Sequence, residues 1–156
     1  MKKFLFLIFL IVGGVLQAAV ANPVSIVLAD VHPAEAKYDK LMSRYVTGLK
    51  AAFTEKDDKK TIVMVQKLND DLVKGFESIK PEIESWIKGM TEADKEAFEK
   101  RAESKPYIKT IFQIMFDPEV GKRIEQNPQL KAALDEGNKR MKALGFEEEE
   151  TEEDYR

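Results

Sequence analysis

The feature that most constrains the fold is the recurrence of apolar residues at spacings of three and four through the middle of the chain. Tyr38, Leu41, Met42, Tyr45, Val46, Leu49, Ala52 and Phe53 follow that spacing, and Ile62, Val65, Leu68, Leu72, Val73, Phe76 and Ile79 repeat it. A period near 3.6 lines one side of a helix, whereas a strand needs strict alternation. Each run therefore predicts an amphipathic helix that must bury its stripe against another element. Residues 55–60, EKDDKK, form a short polar turn between the runs, with Asp57 or Asp58 as N-cap of the second. So short a connection favours antiparallel packing. Gly75 is the weak position of the second run for helix propensity.

Prolines organise the rest. Pro81 is expected to end or kink the second helix, because it lacks a backbone donor and its ring crowds the preceding turn. A short helix carrying Ile83, Trp86, Ile87 and Met90 follows. Thr91-Glu92-Ala93-Asp94 matches a capping box that opens a helix to about Ser104. Its apolar residues are mostly small and scattered, so it is expected on the outside. Pro106, Pro118 and Pro128 each suit the first position of a helix, and Asp117 and Asn127 are N-caps for the last two. Gly145 is the stop for the final helix. No stretch alternates at period two, and no glycine-rich hairpin signal occurs. The fold class is all-α: a small bundle of about five to seven helices whose second half is broken into short pieces by prolines.

The two ends of the chain are of different character. Residues 1–21, MKKFLFLIFLIVGGVLQAAVA, have two lysines, an apolar run and an Ala-Val-Ala site, which is the layout of a cleaved secretory signal. The apolar run of residues 4–16 falls short of the roughly 20 residues that span a bilayer as a helix, so no stable membrane anchor is expected after cleavage. Residues 22–33 read as an extended leader, 34–146 as one helical domain, and 147–156 as a disordered acidic tail. Seven of the 28 acidic residues lie in that tail. The body is then nearly neutral, and nucleic-acid binding, which needs clustered Lys and Arg, is not expected.

Residue inventory limits the chemistry. With no cysteine, thiolate catalysis, disulfides and Cys-based zinc sites are excluded. His32 is the only histidine, so no triad and no His-His metal pair can be assembled within one chain. It reads as a linker or cap residue; the alternatives are a surface metal contact or a haem ligand paired with Met42, Met64, Met115 or Met141, methionines that otherwise fit the apolar stripes. Phosphate loops, nucleophile elbows and dinucleotide fingerprints are missing. No catalytic, cofactor-binding or metal-binding residue is assigned.

Two constellations remain. Glu92, Glu96, Glu99 and Glu103 share one side of the capping-box helix, an acidic stripe that reads chiefly as a solvated face and otherwise as a cation or basic-partner surface. Tyr107, Ile108, Ile111, Phe112, Met115 and Phe116 make the 107–116 helix apolar around more than half its circumference. Such a helix is either enclosed by the bundle or shows a face to a partner. The functional expectation is an exported, periplasmic, non-enzymatic helical protein that binds an as yet unidentified protein or hydrophobic segment. The alternative is a carrier of a small apolar ligand or haem between its helices.

Overall fold

A computed structural model describes residues 31–145, so the signal-like segment and the acidic tail lie outside the described residues, as does most of the leader. Among the described residues there are six helices and no strand: α1 (Pro33–Thr54), α2 (Asp58–Gly89), α3 (Glu92–Glu103), α4 (Pro106–Met115), α5 (Pro118–Gln126) and α6 (Pro128–Ala143). Proline occupies the first turn of α1, α4, α5 and α6, where its missing N–H costs no helical bond. The caps follow the sequence. Asp57 accepts from the N–H groups of Lys59 and Lys60, Asp117 from Glu119 and Asn127 from Leu130. Thr91 and Asp94 form the reciprocal capping box. Gly145, at φ 80°, takes the left-handed turn that ends α6.

The helices alternate in direction. Lys37 meets Glu82 near one end of the α1–α2 pair, and Tyr45 meets Asn69 further along, so these two run antiparallel. Two reciprocal sockets fix their register. A Cβ on Gly48 would fall 2.2 Å from a methyl of Leu68, and one on Gly75 would fall 2.4 Å from a methyl of Leu41. Each helix thus inserts a leucine where the other has no side chain. Gly75 is the receptor of an inter-helix contact rather than merely a weak helical position.

Helix α4 lies along α1 in the same direction: Tyr107, in its first turn, donates a 2.9 Å hydrogen bond to Asp39, and Ile114, near its end, packs against the cluster that holds Leu49 and Ala52 of the second half of α1. Helix α6 lies along α2, from Ala133 opposite Asn69 to Leu144 opposite Lys80. The result is an up-down-up-down arrangement of α1, α2, α4 and α6. Helix α5 crosses the end formed by the α1–α2 turn, where Arg123 donates to Asp58, to the carbonyl of Glu55 and to the Thr61 hydroxyl. Helix α3 occupies the opposite end, beside the starts of α1 and α4. Two apolar clusters fill the interior, one around Met42, Val46, Phe76 and Ile108, the other around Leu49, Val65, Leu130 and Leu134.

Of the two outcomes expected at Pro81, the helix does not end there: residues 58–89 are a single element with Pro81 inside it, so the separate short helix expected to carry Ile83, Trp86 and Ile87 is the second half of α2. The residues on either side of the proline explain this. Phe76 and Ile83 are buried in one cluster, with Ile79 and Trp86 packed on it, so both halves of α2 are held against the same core. Pro81 itself and Glu77, whose carbonyl loses its donor, face solvent, so no unpaired carbonyl is buried by the missing bond.

Candidate functional site

Helix α4 has one buried and one exposed face. Tyr107, Ile108 and Ile111 are buried, Met115 is half-buried, and together they pack on the first cluster. Phe112 and Phe116 point the other way. Phe116 is 69% exposed and Phe112 37%, and their rings stack with centroids 6.0 Å apart and planes 10° from parallel. The spacing of four brings them together on one helical face. The six residues of the sequence-predicted surface therefore divide into a buried anchor and a two-ring exposed patch.

The acidic stripe lies on the outer face of α3. Glu92, Glu96 and Glu103 are exposed and Glu99 is half-buried. Lys95 pairs with Glu92 at 2.6 Å. No group of three or more acidic or histidine side chains among the described residues is arranged to hold a metal ion. His32 caps α1: its Nδ1 accepts from the Ala34 N–H at 3.2 Å, and its ring stacks on Trp86 with centroids 5.3 Å apart. Met42 and Met141 are buried in the first cluster, Met115 packs against it and Met64 against the second.

A third constellation was not anticipated from sequence. Glu35, in the first turn of α1, is fully buried. Arg101 of α3 grips it through two hydrogen bonds, Nε at 3.2 Å and a terminal nitrogen at 2.8 Å. Lys105, at the α3–α4 junction, bonds Glu35 at 3.1 Å and also Asp39, which in turn accepts from the Tyr107 hydroxyl. Burial pushes the Glu35 carboxyl up, but the bonds from Arg101 and Lys105 outweigh it and hold the group below its ordinary value. Burial likewise disfavours the Lys105 ammonium, and its bonds to Asp39 and Glu35 raise its pKa in spite of that. The Tyr107 hydroxyl is pushed up, by burial first and then by Tyr38 and Asp39. Both carboxylates are engaged by cations, and no described buried side-chain polar atom lacks a partner. Such a network positions helices and resists solvent. The available signal was Glu35 itself, seven residues before Met42 and fourteen before Leu49, and so a charge on the apolar stripe of α1.

The second buried polar site is Asn69. Its amide donates to the Ala133 carbonyl at 2.9 Å and accepts from the Tyr45 hydroxyl at 3.3 Å. It lies where a Cβ on Gly137 would be, 2.5 Å from that position. A concavity at the α1–α2 turn, lined by Thr47, Lys50, Ala51, Thr54 and Met64, opens widely to solvent.

The described residues thus define a class, an up-down-up-down helical bundle with a crossing helix at each end and a stacked aromatic pair on its surface. No protein-family model, curated protein or solved structure matches the chain.

Proposed function

We propose that this is an exported, non-enzymatic binding protein that engages a hydrophobic segment of another protein through the Phe112–Phe116 face of α4. The observation that supports the reading is the two-ring patch itself. A phenylalanine 69% exposed and stacked on another lies on a helix whose opposite face is fixed in the core. That rigid backing presents the rings without an ordering cost on binding. Aromatic residues at such positions carry much of the energy in protein interfaces. Export rests on the signal layout of residues 1–21, and among the described residues no helix is long and apolar enough to cross a membrane.

A photo-crosslinking residue at position 112 or 116, in protein expressed in its own host, tests the reading. Discrete adducts from these positions that are absent from the exposed Glu136 on α6 are expected, and the intact mass of the uncrosslinked protein should begin at Asn22. An identical adduct pattern from all three positions removes the patch as the binding face. A mass that retains residues 1–21 makes the protein a tethered one instead.

A further inference from the structure

We propose that α3 is a latch, a segment of residues 90–104 that lifts off the end of the bundle as a unit while α1, α2, α4 and α6 stay packed. Among the described residues, no other helix packs along the length of α3. It buries one residue, Ala102. Two of its side chains reach the bundle in defined contacts: the Phe98 and Trp86 rings pack nearly perpendicular with centroids 5.0 Å apart, and Arg101 grips Glu35.

Both ends of the segment are built for a hinge. Met90 and Thr91 on one side, and Lys105 on the other, have extended backbone (ψ 133°, 165° and 132°). A Cβ on Gly89 would meet nothing within 4 Å, so the chain leaves α2 through open space. The helix is also complete in itself. Its first turn is closed by the Thr91–Asp94 box and the Lys95–Glu92 pair, and its last turn by the Ser104 hydroxyl on the Arg101 carbonyl. Lifting it leaves the hydrogen bonds inside residues 92–103 in place at first, but once detached a helix of 12 residues is marginal in water, so its amides open to exchange only in the lifted state.

Opening is made affordable by Lys105. When Arg101 leaves, Glu35 keeps the Lys105 ammonium, which is held in place by Asp39 one turn further along α1. The buried carboxylate is never left alone, which is the state that would forbid the motion. What opening uncovers is the side of Trp86 that Phe98 covers, next to the 52% exposed Ile87. This apolar end is remote from Phe116, at the opposite end of α4 from its first turn.

Segment-resolved hydrogen exchange across a urea series below the unfolding midpoint tests the latch on the wild-type protein. Amides of residues 94–103 should exchange at least ten-fold faster than those of residues 42–52 and 65–76, through an opening with a smaller urea dependence. Arg101→Ala should speed exchange in 94–103 by a further ten-fold or more and shift the emission of Trp86, the only tryptophan, to the red, while residues 42–52 and 65–76 stay unchanged. Phe98→Ala, which removes the ring contact with Trp86, should act in the same way. Exchange in 94–103 that follows the global isotherm in the wild type overturns the proposal, as does a rise spread equally over α1 and α2 in the variants. So does no change in α3 on loss of Arg101.

Discussion

Replacing Gly137 by alanine separates helix propensity from packing at the α2–α6 contact. In an unconstrained helix interior the exchange stabilises by about 1 kcal/mol. Here the new Cβ would stand 2.5 Å from Cγ and Nδ2 of Asn69 and 2.7 Å from its Oδ1, where ordinary contact begins at 3.4 Å. The amide must retreat by roughly 1 Å, a displacement that breaks its bonds to the Ala133 carbonyl and the Tyr45 hydroxyl. Overpacking costs about 1–3 kcal/mol and an orphaned buried donor a similar amount. Set against the propensity gain, Gly137→Ala should destabilise by about 1–5 kcal/mol. In an Asn69→Ala background the obstruction is gone, and the same substitution should stabilise by up to about 1 kcal/mol. The sign reversal is the test. Urea unfolding of the four proteins, followed by far-ultraviolet circular dichroism, gives the coupling energy directly. A neutral or stabilising Gly137→Ala in the wild type, or the same cost in both backgrounds, refutes the close-packing argument.

Two further outcomes follow from the ion pairs. Because the Glu35 carboxyl titrates below its unfolded value of about 4.3, its stabilisation is complete above that pH and is lost as the pH falls through the folded pKa. Glu35→Gln should therefore be destabilised at pH 7 by roughly 2 kcal/mol, less than for a fully enclosed pair because Arg101 is partly exposed. The gap to wild type in urea midpoint should close as the pH falls through the folded pKa of Glu35; a gap that is constant with pH refutes the assignment. Arg123→Ala leaves the Thr61 hydroxyl and the Glu55 carbonyl without their α5 partner, at a cost of about 1–3 kcal/mol. The loss should be concentrated in hydrogen-exchange protection of residues 118–126, and full retention of that protection would show that Arg123 does not hold α5.

The two long helices were legible because their stripes are continuous and aliphatic, so the 3.6 period stands clear of noise. The short helices were legible for a different reason: Pro106, Pro118 and Pro128 mark first turns regardless of what the helix packs against. Pro81 shows the limit of that rule. A proline is read locally, but whether a helix survives it depends on burial of Ile83 on the same core as Phe76, which is tertiary information. The 107–116 helix was recognised as too apolar for an ordinary surface helix, and its division between Ile108 and Ile111 inside and Phe116 outside depends on the direction in which α4 lies on α1. The buried grip on Glu35 was not read. Its partners Arg101 and Lys105 are more than sixty residues away, and the rule that charged residues face water gives the wrong side for a carboxylate that two cations enclose. Asn69 and Gly137 escaped for the same reason, since neither is informative until α6 is laid along α2.

The two leucine sockets between α1 and α2 have a consequence for how the chain finds its alignment. Because Leu41 enters α2 at Gly75 and Leu68 enters α1 at Gly48, the keys point in opposite directions and sit two turns apart along α1. Sliding the helices past each other by one turn, about 5.4 Å, would drive both leucines against positions that carry side chains. The stripes alone would tolerate such a slip, since any apolar residue can face any other. The glycines make the pairing behave like a zip with two matched teeth, so a hairpin of local contacts can settle on one alignment before α4 and α6 arrive to be measured against it.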